Sequence, residues 1–404
     1  MKTLLIVSAG VEAVAGIELA KSMGLHVVVS DMNLDAPGFA VADDQLLAST
    51  YDVEATVAAA RVYHKQVRPL DGVLCIASDV PLTVASVASA LGLPGIPVES
   101  ARLATDKLAM KQRFAADGVP IPWFSPVSAA EQLRELVATQ GPPLVIKPVD
   151  SRGSRGVLRL TPAVGLDWAY DVARGHSPTG RVMLERFLPG PQVSTESLVI
   201  EGQAYTPGFA DRNYEHLERY APHIIENGGQ LPSHLDAATQ RAVRDLVQQA
   251  AVSMGIHNGV VKGDIVVTDG QPHVIELAAR LSGGYFCTHE IPLNTGVDLV
   301  GAAIRQALGE QVDPKELTPK WSRPVAQRYL FPSPGVVRAI EGADRFVDHP
   351  DVAHLEIRAK PGDRIGLIDS HPARAGVVIT TGETADSAIS IAEDVIDGIN
   401  VVVE

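Results

Sequence analysis

Cysteine is nearly absent from this chain. Cys75 and Cys287 are the only two among 404 residues, which rules out a disulfide framework and a cysteine-built metal cluster. A reducing, cytoplasmic setting is therefore expected. Long apolar runs are also missing: none reaches the roughly 18 residues a membrane span requires. Positive charge is scarce, and the formal net charge of −14 argues against nucleic acid or an anionic membrane as partner. A local cluster of Lys and Arg can still gather an anion against that field. The turn after the first apolar run, Ser8-Ala9-Gly10 to Gly16, has no Gly-x-Gly-x-x-Gly, and the chain has no Gly-Lys-Ser/Thr loop. A dinucleotide-binding dehydrogenase and a P-loop NTPase are thereby disfavoured.

What is present is the composition of a globular protein, 46% apolar and 20% charged, too long for one ordinary core. The start, MKTLLIVSAGVEAVAGIELA, has the look of a secretion signal. Its Ser-Ala-Gly turn and the acids Glu12 and Glu18 instead predict a strand, a turn and an amphipathic helix. Strand-like runs at 3–8, 26–31 and 72–79, separated by helical patterns, predict a parallel sheet covered on both faces. Ligands of such sheets gather at the C-terminal strand ends, where Ser8, Asp31 and Asp79 stand. Residues 1–105 form this first domain. A helix start at Thr105 or Asp106 opens the second domain, 106–310, in which 120–188 reads as a mobile lid. Residues 311–404 end in β-like runs, a helix and a last strand, the pattern of a small α+β portion.

Three signals follow in order. The first is LVIKPVDSRGSRGV, 144–157. Lys147 ends a buried strand, where a bare ammonium is costly without an anion. Gly153 and Gly156 let backbone approach closely, and Ser151, Ser154, Arg152 and Arg155 add donors, which suits a triphosphate. Lys107 and Lys111, one helical turn apart, share a face. The second signal is an acidic hinge, MLERFLPGP at 183–191, suited to a purine. The third is KGDIVVTDGQPHVIELAARLSGG, 262–284. Its Asp-Gly pair marks a hairpin. A three-residue loop would set Asp264 opposite Glu276, and facing carboxylates call for a cation between them. Arg280 supplies a planar guanidinium suited to a transferred phosphoryl or carboxylate group. The polar stretch 211–233 offers Arg212, His223 and Glu226 for carboxylate or amine recognition, and His289 lies close in sequence to the metal hairpin. Cys287 has no partner base and reads as a packed residue.

These residues resemble the ATP-grasp superfamily, and within it carboxylate–amine ligases such as L-amino-acid ligases and glycinamide-ribonucleotide synthetases. The resemblance covers almost the whole chain. It implies a Rossmann-like pre-ATP-grasp domain, an α+β ATP-grasp body and a small C-terminal α+β portion. It assigns Lys107 and Lys147 to the nucleotide, 151–156 to the mobile glycine loop, and Glu185, Arg186, Phe187 and Leu188 to the adenine hinge. Glu196 falls near ribose or metal, Asp264 and Glu276 hold one or two Mg²⁺, and Arg280 serves the transition state. Three positions depart from the pattern: Ala278 replaces the usual Asn ligand, Asp264 a Glu, and Lys262 a His. Lys262 is then placed to meet the acyl-phosphate or the acceptor. The implied reaction makes an acyl-phosphate from ATP and a small carboxylate, then an amide with an amine; a homodimer is the expected assembly. Two alternatives are bicarbonate or formate activation and a non-catalytic ATP-binding regulator. No Met-Lys-Met tail is present, which disfavours a self-contained biotin carboxylase.

Overall fold

The computed structural model describes residues 1–404. The first four strands, β1 (Thr3–Ile6), β2 (His26–Asp31), β3 (Asp44–Leu47) and β4 (Gly72–Leu74), form a parallel sheet in the order β3-β2-β1-β4. Their alternation explains the apolar runs. Leu4, Ile6, Val27 and Val29 enter one core, while Leu5, Val7 and Val28 enter another on the opposite face. A strand buried on both faces has no polar side to show. Helices Val53–Gln66 and Pro81–Leu91 cover one face. Helix Val14–Ser22 covers the other, together with Leu299–Ala307 from far along the chain.

The segment read as a lid is a second unit with its own core. Strands β5 (Phe124–Val127), β6 (Leu144–Pro148), β7 (Leu158–Leu160) and β8 (Val182–Arg186) make an antiparallel sheet ordered β5-β8-β6-β7. Helices Ala130–Gln140 and Leu166–Gly175 bury Leu133, Ala169 and Ala173 against it.

The body is an eight-stranded antiparallel sheet. It takes β9 (Gln192–Ile200), β10 (Gln203–Arg212), β11 (Gly229–Leu231), β12 (Gly259–Thr268), β13 (Gln271–Ala278), β14 (Val325–Leu330), β16 (Val352–Ile357) and β18 (Gly376–Thr381), in the order β13-β12-β9-β10-β11-β14-β18-β16. Pairing of β11 with β14 carries the sheet straight into the C-terminal segment. That segment is therefore continuous with the body through backbone hydrogen bonds. A three-stranded sheet of β15 (Gly335–Glu341), β17 (Arg364–Ile365) and β19 (Asn400–Val403) and the helix Ala385–Gly398 complete it. No helix is long and apolar enough to cross a membrane.

Two joins set up the functional cleft. Ile76 bridges Leu281 in parallel, so the chain beyond β4 runs beside the segment after β13. His223 bridges Leu158, which seats the lid on the 222–226 segment.

Candidate active site

A cavity of about 640 Å³ lies where the first sheet, the lid and the body meet. Ten Lys and Arg line it against six Asp and Glu, so an acidic chain encloses a cationic cleft that focuses its field on an anion.

One wall is the β12–β13 hairpin. Asp264 and Glu276 are direct cross-strand partners, but not for the reason read from the sequence. The turn has only two residues, Asp269 and Gly270, both at positive φ (50° and 74°), with Thr268 paired to Gln271. That geometry suits Asp-Gly and the twist of a hairpin. A bulge at Ile275, between the pairs Asp264–Glu276 and Ile265–Val274, supplies the extra residue, and bulges commonly re-aim a side chain beside a site. Asp264 accepts from Ser194 Oγ at 2.7 Å and pairs with Lys262. Burial pushes the Asp264 carboxyl up, but Lys262, Ser194 and Arg212 outweigh it and hold the group below the usual carboxylate range. No third His, Cys, Asp or Glu joins this pair as a metal-binding cluster. Two carboxylates still fit Mg²⁺, which takes one or two with phosphate oxygens and water.

Asp106 caps the helix Lys107–Ala116 by accepting from Ala109 N at 2.9 Å. Lys107 then donates to Ser151 O at 2.6 Å and lies 3.2 Å from Glu276. Lys111, one turn on, is fully buried. It donates to Val274 O at 2.9 Å and pairs with Glu185, which also accepts from Lys147. Burial pushes the Lys111 ammonium down to about 8 against the pull of Glu185. Glu185 is likewise pushed up by burial, yet Lys111 and Lys147 together hold it below the usual range. Glu185, read as the hinge acid, is thus the shared counterion of two lysines. Lys111, left open between surface and site in the sequence, is the residue that orients it.

The loop after β6 turns through left-handed backbone at Gly153, Ser154 and Gly156, with φ of 64°, 60° and 71°. A Cβ on Gly156 would meet His176 Cβ at 2.8 Å. Ser154 is held in this region by its hydroxyl, which donates to Ile224 O at 2.7 Å. Arg186 donates to the carbonyls of Gly141 (2.8 Å) and Gln140 (2.9 Å), fixing the turn before β6, while Phe187 and Leu188 line the cavity.

Arg280 reaches the cavity beside Asp79, at 3.5 Å and without a hydrogen bond between them. Asp79 is brought there by the Ile76–Leu281 bridge, and Ser8 also lines the wall. Asp31 instead accepts from the backbone of Ala9 and Asn33. Arg212 and Arg374 flank Glu226 at 3.7 and 3.9 Å. Arg374 also stacks 3.5 Å over the Tyr329 ring, and Arg212 donates to Ser194 at 2.8 Å.

Gly156 and three further expected site residues lie off the cavity wall. Glu196 is fully buried beneath the 281–284 segment, where Ser282 N donates to it at 2.7 Å and Ser282 Oγ caps the other oxygen; burial pushes it up to about 6. His223 spends its position on the bridge to the lid, its Nδ1 unpartnered. His289 packs between Tyr285 and His354, with centroids 5.1 and 4.8 Å away, and burial pushes it down to about 4. Cys287 is buried and donates to Ser282 O. Reading the sequence missed Arg358, which pairs with Glu12 at 2.6 Å, as well as Arg374, His371 and Tyr329. Single residues in β-like runs carry no local signal for a site assembled by distant pairing.

A family model described as "ATP-grasp domain" matches residues 104–284. The chain carries an ATP-grasp domain. A second model, "L-amino acid ligase C-terminal domain 2", matches residues 328–404. The ATP-grasp fold agrees with solved structures. One is an L-amino acid ligase from Bacillus licheniformis, with TM-score 0.84 and 22% identity, covering 100% of this chain and 99% of that one. Another is a phosphoribosylglycinamide synthetase from Anaerococcus prevotii, with TM-score 0.75 and 18% identity over 100% of both chains. At such identities the likeness is one of fold. An uncharacterized protein, y4rH, of Sinorhizobium fredii is 29% identical over 335 residues, 81% of this chain and 67% of its own length. A D-alanine–D-alanine ligase of Gloeobacter violaceus is 31% identical over 199 residues, 46% of this chain and 63% of its own. The matches thus span about two thirds of these curated relatives.

Proposed function

We propose that this chain is an ATP-dependent, ADP-forming ligase that joins a small-molecule carboxylate to an amine. The observation that carries this reading is the meeting, in one cationic cavity, of the lysine pair and glycine loop, two facing carboxylates, and a separate arginine pair around Glu226. Lys107, Lys147 and the 151–156 loop bind the triphosphate, with Phe187 and Leu188 against the base. Asp264 and Glu276 would hold Mg²⁺, whose role when bound is to neutralise phosphate charge. Lys262 stands directly across from Ala278, so an ammonium takes the neighbourhood of the missing Asn ligand. This favours one protein-held metal over two.

The substrate carboxylate oxygen attacks the γ-phosphorus, the bond to the bridging oxygen breaks, and ADP leaves with the electron pair. Arg280 is only loosely tied to Asp79 and meets the transferring group. The protein's part in such a transfer is positioning and charge. The amine nitrogen then attacks the acyl carbon, the bond to phosphate breaks, and a proton is released. Arg212 and Arg374 share one carboxylate and keep net positive charge for an anionic substrate group. Exclusion of water protects the acyl-phosphate until the amine arrives.

The test is phosphate release from Mg-ATP with amino acids offered singly and in pairs, with product masses read. Turnover that needs two partners and a product mass equal to their sum less water supports the reading. Turnover with bicarbonate or formate alone would move the chain to the carboxylating alternative. ATP binding without turnover on any pair would count against ligation of these substrates.

A further inference from the structure

We propose that Tyr51 is a positioning residue that latches the 151–156 loop across the cleft through Arg152. The inference rests on reading that loop as the one that covers the nucleotide. The Arg152 guanidinium sits 3.9 Å from the centroid of the Tyr51 ring. Such stacking attracts a cation electrostatically and persists where water is partly excluded. Seven of the nine other cavity cations have a carboxylate, Arg155 and Arg186 being the exceptions: Lys107 with Glu276, Lys147 with Glu185, Lys262 with Asp264, Arg280 with Asp79, Arg212 and Arg374 with Glu226, and Arg358 with Glu12. Arg152 has none, and its Nη1 is buried without a partner. The Tyr51 ring is what holds this guanidinium, and the unpartnered nitrogen is left for an anionic oxygen.

Tyr51 is well placed to act as a fixed post. It follows β3, and the preceding Thr50 is buried, its carbonyl accepting from the buried Thr83 hydroxyl at 2.7 Å. Tyr51 as a whole is 56% exposed, so it is not there to fill a core. The loop it grips has three further anchors on other parts of the chain, the first being Lys107, which donates to Ser151 O at 2.6 Å. Ser154 Oγ donates to Ile224 O at 2.7 Å, and His371 N donates to Gly153 O at 3.0 Å. Two residues after Ile224, the backbone N–H of Glu226 donates to His371 Nε2 at 3.4 Å. The latch on the first sheet and the seat beside Glu226 thus close the loop from opposite sides. A loop held by a few polar contacts and one ring opens locally far more readily than a core element.

Limited trypsin digestion tests this, because the loop carries two cleavage sites, Arg152 and Arg155. The parent protein should resist cutting there. Tyr51→Ala should be cut at these sites about two- to fivefold faster, and Tyr51→Phe, which keeps the ring, should match the parent. Unchanged cleavage of a folded Tyr51→Ala protein would overturn the proposal. If Tyr51→Ala is cut throughout the chain, Arg152→Met decides instead: faster cutting at Arg155 supports the latch and an unchanged rate refutes it. Protection of the parent loop by Mg-ATP tests the nucleotide assignment separately. Faster cutting in Tyr51→Ala with no protection by ATP would keep the latch and sink the nucleotide assignment.

Discussion

Glu276 lies 3.2 Å from the Lys107 ammonium, and this contact ties the β12–β13 hairpin to the first turn of the 107–116 helix. The opposing carboxylate, Asp264, is met by Lys262. Each carboxylate of the facing pair therefore has an ammonium as its partner. Two acids this close need such compensation.

The pair predicts a sharp metal dependence. Asp264→Asn and Glu276→Gln should each lower turnover by about 100-fold or more, since charge stabilisation at the phosphates is lost. EDTA should abolish phosphate release, and Mg²⁺ should restore it only in the parent. Lys107→Met should instead tighten Mg²⁺ binding by the free protein while raising the KM for ATP. Calorimetry of Mg²⁺ binding with and without nucleotide reads both effects.

Glu185 predicts a stability defect. It is the counterion of two buried lysines, and removing one partner of a buried pair costs about 3–5 kcal/mol. Glu185→Gln should lower the denaturation midpoint accordingly. Adding Lys111→Met, which removes one stranded charge, should recover part of the loss. Equal midpoints for the single and double variants would contradict this account.

Glu290 predicts a pH dependence. It is fully buried with neither oxygen hydrogen-bonded, and burial pushes it up to about 7 from its ordinary 4.5. Between those values the folded protein binds more protons than the unfolded chain, so stability falls as pH rises from 4.5 through 7. Glu290→Gln does not titrate. Its stability relative to the parent should therefore shift in its favour by up to about 3 kcal/mol between pH 5 and pH 8. Urea titrations at the two pH values measure the difference, and a constant gap would refute it.

The arginine pair predicts a binding defect rather than a chemical one. Arg374→Leu leaves Glu226 and Arg212 to neutralise each other. The KM for the anionic substrate should rise about 10- to 100-fold with a smaller change in kcat. Arg212→Lys keeps the charge but loses the planar fork, and should fall between the parent and Arg374→Leu. Equal losses in kcat and kcat/KM would instead place these arginines in the chemical step.

Much of this site was legible in the chain itself. Thr105 or Asp106 before a helical run announced a cap, which Asp106 supplies, and the Asp-Gly turn announced the hairpin. Lys147 before a Gly/Ser/Arg loop announced a cluster of cations, and these residues do line the cavity. These signals are local, because caps, turns and buried strands are set by neighbouring residues. Other readings failed for want of distance. Glu196, His223 and His289 have the right chemistry, but the packing of 281–284, the lid bridge and the Tyr285–His354 contact turn them away from the cavity.

The sequence by itself determined the elements and the order of the candidate site residues along the chain. Periodicity and turn chemistry act within a few residues, which is the range over which side chains decide backbone shape. Only the tertiary structure decided that Lys111 and Lys147 share Glu185. It also decided that the Ile275 bulge rather than the turn length sets Asp264 against Glu276. The β11–β14 pairing likewise delivers Arg374 and Tyr329 to the same cleft as Arg212. Each depends on pairing between segments far apart in the chain, and no local pattern specifies which distant strand a strand will meet.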